Sequence, residues 1–80
     1  MIFLIKYNRT KGQLVELKVY KDVERLEAQD ARLKMELDLN KKGINLEVVL
    51  LEAATEEILR RTHRRYFENL NQLLQPLYSL

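Results

Sequence analysis

Three residues divide the chain, namely the two glycines Gly12 and Gly43 and the single proline Pro76. Glycine readily adopts the left-handed backbone conformation of tight turns and helix ends, and proline stops a helix. The chain of 80 residues therefore has few points at which regular structure can end. Apolar residues make up 46% and charged residues 32%, which is typical of a globular fold. This length predicts one domain over residues 1–80.

The first twenty residues have the pattern of an antiparallel hairpin. Residues 2–7 are rich in β-branched and aromatic side chains, which favour a strand. Residues 14–20 alternate between apolar and polar side chains, which is typical of a half-buried strand. The segment between them has turn chemistry, with Gly12 placed to take a positive φ.

Two helices and a third strand complete the predicted elements. A helix is expected over residues 22–42, with Asp22 as its N-cap and Gly43 just beyond its end. A strand is expected over 44–53. A second helix is expected over 55–74, capped by Thr55 and stopped by Pro76, with a tail at 75–80.

The order ββαβα predicts an α+β domain with a three-stranded sheet. The helix between the second and third strands should bring the third strand back parallel to the second. We favour the sheet order 2-1-3, with the third strand beside the first, and the alternative is 1-2-3. Both helices are expected to pack on one face of this sheet.

The first predicted helix has apolar residues on two sides, whereas a surface helix normally has one apolar stripe. Asp30 lies within one of these stripes. The two stripes are Val23, Leu26, Leu33 and Leu37 on one side, and Ala28, Ala31, Met35 and Leu39 on the other. One stripe should contact the sheet, and the other should contact either the second helix or a second copy of the chain.

The second predicted helix also carries more apolar surface than a contact with one sheet requires. Phe67 and Leu74 lie beside its main stripe, together with His63. This excess predicts a homodimer. The expected interface consists of Met35, Leu39, Phe67 and Leu74.

A dense group of arginines marks the same helix. Arg60, Arg61, Arg64 and Arg65 share one arc, which with Lys41 and Lys42 could bind the phosphates of a nucleic acid. Glutamates lie four residues from two of these arginines, so the alternative is a solvated face of helical ion pairs. His63, Phe67 and the four arginines are the candidate contacts for a ligand or partner.

The chain offers few groups for catalysis. It contains no cysteine and a single histidine, His63, and Ser79 is its only serine. A metal site would therefore need carboxylates beside His63, and a lone helical histidine is more often a packing residue. No phosphate-binding glycine loop is present. The sequence predicts no enzyme, metal or cofactor, although an enzyme that uses carboxylates and His63 is a third alternative.

The function expected from these patterns is a non-catalytic interaction or assembly module that acts as a homodimer. The alternative is an accessory protein that binds nucleic acid through the arginines. Net charge is +2, with 14 basic and 12 acidic residues, so the chain is not a polycation. The apolar run at residues 2–5 is too short for a membrane span or a secretion signal, which favours the cytoplasm, by default of a bacterium.

Overall fold

The computed structural model describes residues 1–68, and the predicted tail and the interface residue Leu74 lie outside this range. It contains three strands, two α-helices and two short 3-10 turns. The strands are β1 (Ile2–Asn8), β2 (Gln13–Tyr20) and β3 (Glu47–Glu52); the helices are α1 (Arg25–Lys41) and α2 (Glu56–Thr62); the 3-10 turns are Asp22–Glu24 and Arg64–Tyr66. The α+β class and the order ββαβα are confirmed.

The sheet has the order β2-β1-β3, and β1 pairs antiparallel with both neighbours. Ile5 lies opposite Leu17 on one side and opposite Val49 on the other. The preferred order 2-1-3 is therefore confirmed. β1 is the central strand, so its side chains form the middle of the fold.

The hairpin turn forms as its sequence predicts. Gly12 has a φ of +64°, and the backbone N–H of Lys11 donates a 2.9 Å hydrogen bond to Oδ1 of Asn8. The pairing of β1 with β2 shifts between Lys6 and Tyr7, as at a β-bulge. The shift brings Leu14 opposite Tyr7, which places two large side chains beside each other at the end of the hairpin.

One face of the sheet packs against α2 and the 3-10 turn that follows it. Phe3, Ile5 and Tyr7 alternate along β1 and form a buried cluster with Leu59 and Tyr66. Phe3, Ile5 and Leu59 have no exposed surface. This cluster is the main hydrophobic core of the described residues.

The opposite face of the sheet is covered by α1. Ile2 and Leu4 point away from the main core, and yet each is only 1% exposed. α1 contacts β1 and β3, and its buried side chains are Ala28 and Leu39. The two helices therefore lie on opposite faces, which corrects the expectation that both pack on one face. The reason is that β1 is apolar on both sides and needs a layer over each.

The second helix is shorter than predicted. α2 ends at Thr62, where the hydroxyl donates to the carbonyl of Ile58 at 2.9 Å, and the backbone of His63 leaves the helical region. A 3-10 turn follows and buries Tyr66. No glycine or proline marks this end, so the gain from burying Tyr66 accounts for the break. The remainder of the predicted helix, residues 69–74, lies outside the described range.

Two helix ends follow the capping residues that the sequence marks. Oγ1 of Thr55 accepts a 3.1 Å hydrogen bond from the backbone N–H of Ile58. Gly43 ends α1 with a φ of +69°, and the N–H of Ile44 donates to the carbonyl of Leu39. The start of the predicted first helix is instead the 3-10 turn Asp22–Glu24, which precedes α1.

No helix within residues 1–68 has both the length and the apolar character needed to cross a bilayer.

Candidate functional site

Three of the four arginines form ion pairs within their own helical segment. Arg60 lies 3.0 Å from Glu56, Arg61 lies 3.6 Å from Glu57, and Arg64 lies 2.7 Å from Glu68. Each partner is four residues away, which is the spacing of neighbours on a helix surface. The pairs of Arg61 and Arg64 are the ones that the sequence predicted. These glutamates offset the positive charge of the arc.

The fourth arginine joins a group that crosses between elements, which we call the Glu47 cluster and which comprises Arg9, Glu47, Arg65 and Tyr66. Glu47 begins β3, and its side chain is 18% exposed. Its Oε1 accepts a 2.8 Å hydrogen bond from Nη2 of Arg65 and lies 3.6 Å from Nε of Arg9. Its Oε2 accepts a 2.6 Å hydrogen bond from the phenol of Tyr66.

Aromatic contacts hold the arginine side chains at the same place. The rings of Tyr7 and Tyr66 meet edge to face, with centroids 5.1 Å apart. The guanidinium of Arg65 lies 4.7 Å from the ring centre of Tyr66, and that of Arg60 lies 4.6 Å from the ring centre of Phe67. Such cation–π contacts occupy faces of the guanidinium groups. The cluster therefore fastens the 3-10 turn to the sheet.

Burial and hydrogen bonding also change the acidity of Tyr66. Burial raises the pKa of its phenol, and the hydrogen bond to Glu47 raises it further. The folded protein thus holds this proton more tightly than the unfolded chain does. The resulting stabilisation is fully present below pH about 10 and is lost as the pH rises through the folded pKa.

We expect the phenol of Tyr66 to ionise above the ordinary range of a tyrosine in an absorbance titration of the folded protein. Tyr66→Phe should remove this high-pH step. Tyr20→Phe is the matched control and should leave that step in place, because Tyr20 pairs with Ile2 at one end of β1 and Glu47 pairs with Tyr7 at the other. A titration in which Tyr66→Phe removes an early step instead would contradict the assignment.

The candidate histidine lies at the junction between α2 and the last 3-10 turn. His63 is half-buried, and its Nδ1 lies 2.9 Å from Oγ1 of Thr62. Among residues 1–68, no group of three histidine, cysteine, aspartate or glutamate side chains is arranged to hold a metal ion. This geometry gives His63 a local hydrogen bond at a helix end.

The positive side chains proposed to act together lie on different layers. Arg60 and Arg61 belong to α2, whereas Lys41 and Lys42 lie at the end of α1, across the sheet. Lys42 is itself 3.1 Å from Asp38. The structure therefore does not bring the arginines and the two lysines onto one surface, and the nucleic-acid alternative gains no support from it.

The predicted dimer residues are mainly directed inward. Leu39 is only 6% exposed and Met35 is half-buried on the sheet side of α1, while Phe67 packs partly against the main core. Burial of Leu39 leaves little of its side chain free for a partner, and the interface of Met35, Leu39 and Phe67 stays a prediction. Leu74 lies outside the described residues.

The other apolar side of α1 faces solvent, and we call it the outer stripe. Three of its members, Leu26, Leu33 and Leu37, lie on α1 and are 79%, 51% and 59% exposed. The fourth, Val23, lies in the 3-10 turn just before α1 and is 91% exposed. Sequence periodicity found both sides of the helix but could not rank them. The burial of Ala28 and Leu39 assigns the inner side.

Comparison with models of known protein families, with curated proteins and with solved structures found no match.

Proposed function

We propose that the protein is a non-catalytic interaction and assembly module that acts as a homodimer through the outer stripe of α1. The observation that carries this proposal is the exposure of three leucines along one side of α1, with a fourth aliphatic side chain, Val23, exposed in the 3-10 turn just before it. Burying apolar surface is favourable by roughly 25 cal/mol for each Å² removed from water. A second copy of the same stripe supplies a matching apolar surface, as symmetric dimers require.

The layout of the sheet supports the use of this surface. α1 already covers the sheet with its inner side, so the outer stripe has no role in the core of the described residues. The arginines, in contrast, have carboxylate partners and aromatic neighbours. Contact through α1 therefore has stronger support than contact through the arginines.

Light scattering over a range of protein concentrations tests the proposal. We expect a mass of about 19.2 kDa, twice the 9.6 kDa of one chain, at high concentration. Leu33→Glu should yield a monomer, because it places a charge within the apolar interface. Circular dichroism should show that this variant remains folded, since Leu33 is 51% exposed.

Val15→Glu is the matched control. Val15 is 50% exposed, close to the value for Leu33, but it lies on β2 rather than on α1. This variant should remain a dimer. A wild-type mass of 9.6 kDa at high concentration would overturn the proposal, and so would equal loss of the dimer in both variants.

A further inference from the structure

The part of the outer stripe on α1 has the spacing of a coiled-coil seam. Leu26, Asp30, Leu33 and Leu37 follow one another at intervals of four, three and four residues, and Val23 precedes them in the 3-10 turn. This alternation places side chains along the line where two helices pack. Asp30 is the one charged residue in that line, and it is exposed in the single chain.

The charges beside the seam are not used within the single chain. Glu27 and Lys34 are exposed, and with Asp30 they form no ion pair with any residue from 1 to 68. Elsewhere on α1, Arg32 pairs with Glu36 and Asp38 pairs with Lys42. Unpaired charges of both signs thus lie along the apolar stripe.

We infer that two copies of α1 pair antiparallel, with Lys34 of each copy lying between Glu27 and Asp30 of the other. This inference rests on the proposed homodimer and specifies its geometry. The alignment places Leu26 of one copy opposite Leu37 of the second copy. In an antiparallel pair, each position that flanks the seam on one side of a helix faces the same heptad position of the second helix. Glu27 and Lys34 both occupy this position, each directly after a seam leucine, so the symmetry of the dimer brings Glu27 to Lys34 twice.

The parallel arrangement is less favourable because of the charge of Asp30. In parallel pairing, each seam residue faces itself, so Asp30 would lie against Asp30 of the second copy. Like charges at such close approach repel. The antiparallel alignment places Asp30 opposite Leu33, with Lys34 of the second copy nearby. The acid in the stripe then has an opposite charge as its neighbour.

Disulfide cross-linking reports the orientation, because the chain contains no cysteine of its own. The variants are Leu26→Cys and Leu37→Cys, each prepared alone and in an equal mixture. In the antiparallel pair, the two copies of residue 26 are separated by about 16 Å along the helix axis, too far for a disulfide. We expect cross-linked dimers in the mixture, joining one variant to the other, and little in either variant alone.

Charge reversal tests the proposed contacts. Lys34→Glu should weaken dimerisation about tenfold, since it places a third acid between Glu27 and Asp30 at both symmetric sites. Adding Glu27→Lys in the same chain should restore most of the affinity. Lys11→Glu makes the same change in net charge at the hairpin loop and should leave the affinity unchanged.

The outcomes separate this inference from the function on which it rests. A monomeric wild-type protein would overturn the homodimer itself. A stable dimer in which Leu26→Cys cross-links to itself would overturn the antiparallel pairing and leave the homodimer in place. Failure of Glu27→Lys to rescue Lys34→Glu would overturn the assigned charge contacts.

Discussion

Replacing Phe3 with alanine should lower the free energy of unfolding by about 3–5 kcal/mol. Phe3 has no exposed surface, and it lies on the central strand between Val19 and Leu51. Removing its ring leaves a cavity in the main core that the two flanking strands cannot close without losing their pairing. A domain of this size has a total stability of roughly 4–12 kcal/mol, so much of the population should unfold.

Urea denaturation followed by circular dichroism measures this loss. Phe3→Leu is the matched control, because it retains most of the apolar volume and should lose far less stability. Both variants should be compared at one protein concentration, since dimerisation adds to the apparent stability. A loss below about 1 kcal/mol in Phe3→Ala would mean that Phe3 is not in the core.

Replacing Leu59 with alanine should cost about 2–5 kcal/mol. Leu59 is the one buried residue of α2, and it packs against Phe3 and Ile5. A helix of seven residues is too short to be stable by itself, so this side chain is the main anchor of α2 to the sheet. Its loss should also loosen the 3-10 turn that carries Tyr66.

The neighbouring residue provides the control for Leu59. Ile58 lies on the same helix and is 39% exposed, so Ile58→Ala should cost clearly less. Hydrogen exchange of the α2 amides should increase in Leu59→Ala while the amides of β1 retain more protection. Equal losses of stability in the two variants would contradict the placement of α2 on the Phe3 face.

The hairpin and the helix caps could be predicted because their signals are local. Gly12 and Gly43 supply positive φ angles, and Thr55 supplies a side-chain oxygen three residues before its donor. The direction of β3 also followed from topology, since a crossover helix makes the third strand parallel to the second, whereas the order 2-1-3 was the favoured one of two alternatives. The ion pair of Arg61 with Glu57 depends on a spacing of four residues, which a sequence shows directly.

The remaining features depend on contacts between distant parts of the chain. Glu47 and Arg65 are 18 positions apart, and no periodic pattern links them. The end of α2 at Thr62 has no glycine or proline, and it follows from the packing of Tyr66 against Tyr7. The placement of the helices on opposite faces could have been inferred from β1, which is apolar at both odd and even positions.

The central claim is that the outer stripe of α1 forms the contact between two copies. The most direct measurement is a nuclear Overhauser experiment on a mixture of isotope-labelled and unlabelled protein, filtered to detect contacts between copies. We predict intermolecular contacts from the methyl groups of Leu26, Leu33 and Leu37. An absence of intermolecular contacts at high protein concentration would contradict the claim, as would contacts arising from Val15 and Val19 instead.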